Sequence, residues 1–139
     1  MTNDGTSMSA ESPQRGVVLI PASRSVAATI DRLESLLRER AILIFARIDF
    51  SGDAARAGLS MRPEQLLVFG NPKAGTPLML AAATVGLDLP LKALAFEDEA
   101  DKTWLAYNDP HYIVRRHDIG EALSANLAAV IPLLEQAAR

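Results

Sequence analysis

The chain reads as an α+β protein: a single compact domain in which a mixed or antiparallel sheet of five to six strands is covered by three main helices. Three observations predict this. Apolar runs of strand length recur at residues 17–20, 42–50, 66–69, 91–96 and 103–107. Two longer stretches carry apolar residues at helical spacing: Val26, Ile30, Leu33 and Leu37, and then Ile119, Leu123, Leu127, Ile131 and Leu134. Finally, a chain of 139 residues suits one domain and can bury about two-thirds of its unfolded surface without a disulfide or metal.

Residues 1–15 are rich in Ser, Thr, Asn, Asp and Gly, and a disordered tail is expected there, ahead of a single domain over 16–139. The first strand is expected at 17–20, stopped by Pro21. Ser25 has the chemistry to cap a helix running to Arg40, with Glu34 and Arg38 as an outward i,i+4 pair. In the second strand, 42–50, alternation puts Arg47 and Asp49 on one face and Ile48 and Phe50 on the other. Arg47 and Asp49 then form a partly buried pair, face solvent, or leave Asp49 as a general base.

The stretch at 66–77, LLVFGNPKAGTP, organises the middle of the chain. It predicts a fully buried strand ended by Gly70, a loop over 70–76, and a helix with Thr76 as N-cap and Pro77 at its first position. The helix beyond, LMLAAA, is apolar all round and therefore expected to be buried, with Gly86 near its C-terminal end. A glycine-bounded loop feeding a helix N-terminus suits an anion, and Lys73 adds charge. The alternative is a plain structural turn, since the lysine and hydroxyl of a phosphate-binding P-loop do not follow Gly75.

In the strand at 91–96, Leu91, Ala93 and Ala95 share one face, and Lys92, Leu94 and Phe96 the other. Lys92 is either an end position whose amine reaches water or a site lysine. The acidic residues after Phe96 read as a solvated hairpin turn rather than a cation loop. His111 follows a loop proline at a strand end, where functional residues often sit. His117, beside Arg115 and Arg116, reads as part of a polar surface. Asp118 and Glu121 have capping-box spacing for the last helix, which Pro132 is expected to kink or end near Ile131.

Composition excludes several chemistries. With no cysteine, there is no disulfide, thiolate metal site or cysteine nucleophile. The net charge of −3 and lack of a basic stripe argue against nucleic acid, and no apolar run reaches membrane-span length. No secretory signal is evident, so the expected location is the cytoplasm, with no metal and no cofactor.

Read together, ARID around Asp49, LLVFGNPKAGTPLM from Leu66, LDLPLKALAFED from Leu87 and AYNDP from Ala106 resemble the domain of unknown function 302 family over residues 17–135. The resemblance implies a compact α+β domain with a tendency to dimerise and implies no particular activity. Asp49, Gly70, Asn71, Pro72, Lys73, Pro90, Lys92, Tyr107, Asp109 and Pro110 match its pattern, and several are expected to converge at one end of the sheet. Phe50 departs from it, standing where relatives usually carry histidine.

Two functional readings follow. The first is a homodimeric module binding an anionic or amphipathic small molecule, or serving a partner, through Asp49, Gly70, Asn71, Lys73, Thr76, Lys92, Tyr107, Asp109 and His111. The second is an enzyme using Lys92, Asp49 or Tyr107 as acid–base groups, which requires titratable side chains with opposed shifts in one pocket.

Overall fold

The computed structural model describes residues 15–139, so the expected tail lies outside the described residues but for Arg15. Its centre is a five-stranded sheet in the order β1-β5-β4-β3-β2, built from β1 (Val17–Ala22), β2 (Leu43–Asp49), β3 (Glu64–Gly70), β4 (Leu91–Glu97) and β5 (Thr103–Asn108). Every neighbouring pair is antiparallel. β1 runs through Pro21 instead of stopping there, because it is an edge strand and the missing N–H costs no ladder bond.

Helix α1 (Val26–Glu39) forms as its spacing predicts. The Ala28 N–H donates to Ser25 Oγ at 3.1 Å, and Val26, Ile30, Leu33 and Leu37 are buried. With α6 (Ile131–Ala138), α1 covers one face of the sheet, packing on Leu67, Phe69, Ala93, Ala95 and Leu105. A second core cluster sits beyond the end of the sheet marked by Gly70, Leu91 and Asn108. It joins Leu78 of α3 (Pro72–Ala81), Val85 of a 3-10 turn (Ala83–Leu87), Ile113 and Val114 of α4 (Pro110–Arg116), and Leu127 of α5 (Ser124–Ala128). This helical cap forms the wall of the candidate site.

The other face of the sheet is also apolar. Register places Leu19, Ala106, Leu94, Leu66 and Ile48 in one unbroken row across all five strands. Trp104 and Phe96 lie in the next row, and neither core cluster includes any of these residues. The expectation of a fully buried third strand is thus half met: Leu67 and Phe69 are buried, while Leu66 and Val68, on the other face, are only partly so.

Several expectations are corrected. Asn71, not Thr76, caps α3, because Pro72 already fits the first helical position; Pro77 lies inside the helix. Nor is α3 buried: only Leu78 is enclosed, while Met79 is 41% and Leu80 83% exposed. Gly86 does not end α3 but sits in the 3-10 turn after it. Phe50 opens a short helix, α2 (Phe50–Arg56), instead of ending β2. Arg47 turns to α1, its guanidinium 2.6 Å from Asp31 and 3.4 Å from Glu34, while Asp49 caps α2. The last helix is in pieces. Asp118 takes φ +55 and caps nothing, Glu121 pairs with His111 instead, and Pro132 opens α6.

Candidate functional site

Where β3 ends, Gly70 leaves room that a side chain would take: a Cβ there would lie 3.4 Å from the Phe45 ring and 3.7 Å from Pro90. The chain then enters α3 at once. Asn71 Oδ1 accepts the Lys73 N–H at 3.0 Å, and the Asn71 carbonyl accepts those of Ala74 and Gly75 at 2.9 and 3.0 Å. Pro72 has none to offer. The first-turn amides that an anion would need are therefore already engaged, and the expected loop over 70–76 is the start of a helix.

What the segment builds instead is an apolar cavity of about 240 Å³. Gly75 and Met79 of α3 form one side. Phe45 at the sheet edge, Leu89 and Pro90 before β4, and Leu127 of α5 form the others. Asn71 and Thr76 supply the polar side chains among its lining residues, and no charged group joins them. Gly75 is what keeps the space open beside α3, since a Cβ there would already reach 3.5 Å from Leu89.

The sequence-predicted residues distribute unevenly around this space. Gly70, Asn71 and Thr76 line it. Lys73 is exposed on α3 and does not. Lys92 Nζ donates back to the Pro90 carbonyl at 2.8 Å. Tyr107 borders a separate void of about 10 Å³, room for a water at most. Burial pushes its phenol above the ordinary value, with Glu135 and Asp109 adding to the shift. Asp109 caps α4, accepting the His111 N–H at 3.1 Å, and His111 Nδ1 lies 2.7 Å from Glu121 on the surface.

Asp49 sits at the opposite end of the sheet, where β2 pairs it with Gln65. Its carboxylate accepts from Ser51 Oγ at 2.7 Å and the Gly52 N–H at 3.0 Å. Those bonds, led by Ser51, hold its pKa below the ordinary value, the reverse of what a general base near neutrality needs. Lys92 joins Tyr107 at the edge of the small void, but that void has room for a water at most, and Asp49 is far from both. Eight of the nine residues thus gather at one end of the sheet, but the three acid–base candidates do not meet in one pocket.

Sequence reasoning missed Phe45, Met79, Leu89 and Leu127. A faint signal existed in Gly75, a flexible residue within an apolar helix. His117 is also corrected: its side chain is 5% exposed, not on a polar surface. Its Nε2 lies 2.5 Å from Asp88 and its Nδ1 2.8 Å from Thr84 Oγ1, while Arg116 donates to both Asp88 oxygens. This network fastens the turn carrying Gly86 and Leu89 to α4, fixing that wall of the cavity. Among the described residues, no helix is long and apolar enough to cross a membrane.

Comparison with known proteins agrees with this architecture. A crystal structure of an uncharacterized conserved DUF302 protein from Bacillus stearothermophilus superposes with a TM-score of 0.73 over 88% of this chain and 95% of that one, at 20% identity. Proteins named fluoride-specific ion channel FluC 1 from Brucella suis and Brucella abortus are each 40% identical over 116 residues, 84% of this chain. The match spans less than half of those proteins, 46% and 43% of their lengths. The model of the family "Domain of unknown function DUF302" matches residues 19–137, and the chain belongs to that family.

Proposed function

We propose that this chain is a cytoplasmic, homodimeric, non-catalytic module that binds a small apolar or amphipathic molecule in the cavity beside α3. The observation that carries this reading is the cavity itself: about 240 Å³, lined mostly by apolar groups, with Asn71 and Thr76 to orient one polar group. An apolar cavity of about 150 Å³ already admits benzene. The exposed neighbours Phe45 and Met79 give a guest a way in. The engaged amides of α3 favour a neutral head group over an anion. The Brucella proteins, alike over less than half their length, support a module that also works attached to a longer chain.

The test is a titration of methyl-labelled protein with hexanol and, separately, hexanoate. Burying about six carbons at ~0.8 kcal/mol each gives a dissociation constant below about 1 mM for hexanol. The Met79, Leu89 and Leu127 methyl signals are expected to move, more with hexanol than with hexanoate. Gly75→Leu fills the cavity and is expected to abolish both responses. Unmoved methyls in the unmodified protein, or equal responses in Gly75→Leu, would refute the reading.

A further inference from the structure

We propose that Leu127, with Leu91, is the end wall of the cavity beside α3 and sets the length of the alkyl chain that the cavity accepts. This rests on the binding function proposed above and names its guest: an unbranched chain of medium length with one neutral polar end. The cavity has a direction. Asn71, Thr76, Phe45 and Met79 line it from exposed positions, whereas Leu127 lines it at 2% exposure. A guest therefore keeps its polar end beside Asn71 and Thr76 and carries its tail inward to Leu127.

Beyond that leucine lies more space. The void of about 10 Å³ beside Tyr107 is also lined by Leu91 and Leu127, and these two residues alone line both spaces. The partition is thus a single layer of side chains. It is also held in place. Asn126, next to Leu127 in the chain, donates from Nδ2 to the Ala74 carbonyl at 3.1 Å and so ties α5 to α3 across the cavity. Leu91 is fixed by its pairing with Phe69 in the sheet. A chain too long for the cavity meets these packed leucines and the cost of overpacking. Volume gives the limit. A cavity of about 150 Å³ takes benzene, so in proportion one of about 240 Å³ takes a chain of about nine or ten carbons. Leu127→Ala removes about three carbons from the wall and joins the cavity to the void beside Tyr107.

Straight-chain 1-alkanols from butanol to dodecanol, titrated into the intact protein carrying methyl and tyrosine-ring labels, test this. In the unmodified chain, affinity is expected to rise about fourfold per carbon and to level off near nonanol or decanol, with the Tyr107 ring signals unmoved. In Leu127→Ala the rise is expected to continue to dodecanol, and the longest alkanols are expected to move the Tyr107 signals. Circular dichroism confirms folding. Where Leu127→Ala does not fold, Leu127→Val takes its place and is expected to shift the levelling point by about one carbon. A rise that never levels in the unmodified chain, a levelling point indifferent to the Leu127 truncations, or a Tyr107 ring that stays still in Leu127→Ala overturns the end wall and leaves the cavity reading standing. A chain that binds no alkanol of any length overturns both.

Discussion

On the face that α1 and α6 cover, Leu67, Phe69, Ala93, Ala95 and Leu105 are fully buried; on the other face Leu19 and Ala106 are buried too, but Leu66, Leu94, Phe96 and Trp104 are only partly so. The two sets have much the same chemistry. What differs is that, among the described residues, the long α1 and the C-terminal α6 pack on the first face. Burial of a strand residue is therefore set by what the fold lays over it as well as by its own chemistry. The same contrast recurs on a smaller scale in α3, where Leu78 is enclosed and Leu80, two residues on, is 83% exposed.

The largest expected effect follows from this contrast. Leu105→Ala removes a fully buried side chain and is expected to cost about 2–5 kcal/mol in urea unfolding. Leu94→Ala, on the other face, is expected to cost about 1 kcal/mol in dilute solution, since much of that side chain's transfer energy is not yet realised. Equal costs for the two would erase the distinction between the faces.

Much of the fold was legible because it rests on local rules. Ser25 and the spacing of Val26, Ile30, Leu33 and Leu37 specify α1, and the alternation of Leu91, Ala93 and Ala95 specifies the covered face of β4. The errors lie where two local rules compete. Both Asn71-Pro72 and Thr76-Pro77 offer a cap followed by proline, and the earlier pair prevails because β3 ends directly before it. The cavity was illegible for a different reason: Phe45, Met79, Leu89 and Leu127 come from four separate segments, and nothing in the spacing of apolar residues records an absence of atoms between them. His117 was misjudged because its neighbours Arg115 and Arg116 are exposed, whereas its partners, Thr84 and Asp88, are some thirty residues away.

Tyr107 sharpens the comparison through pH. It packs against the covered core, and its phenol is raised chiefly by that burial. A raised folded-state pKa means that its share of stability is fully present below the unfolded value near 10 and is lost as pH rises through the folded one. Tyr107→Phe is expected to change stability at neutral pH by less than about 1 kcal/mol. It is also expected to flatten the loss seen above pH 10 in urea titrations. An unchanged alkaline limb would place the phenol in water and move the limit of the covered face inward.

The smallest effect marks the rim of that face. Arg47 lies on the covered side of edge strand β2, 30% exposed, where apolar packing gives way to Asp31 and Glu34 of α1. A partly exposed pair of this kind is worth about 0.2–1 kcal/mol, so Arg47→Met is expected to cost no more than that and to cost less in about 1 M salt. Glu34 is held below its ordinary value of 4.5, first by the Arg38 hydrogen bond and then, more weakly, by Arg47. A depressed carboxylate stabilises the fold above that value and loses its contribution as pH falls through the folded-state one. The difference between Arg47→Met and the unmodified chain is therefore expected to shrink as pH is lowered from about 4.5. A cost of several kcal/mol that ignores salt and acid would mean that Arg47 is enclosed, not peripheral, and that the helix layer reaches over the edge strand. The covered face would then extend across all five strands, and the contrast with the other face would be sharper than the partial exposure of β2 suggests.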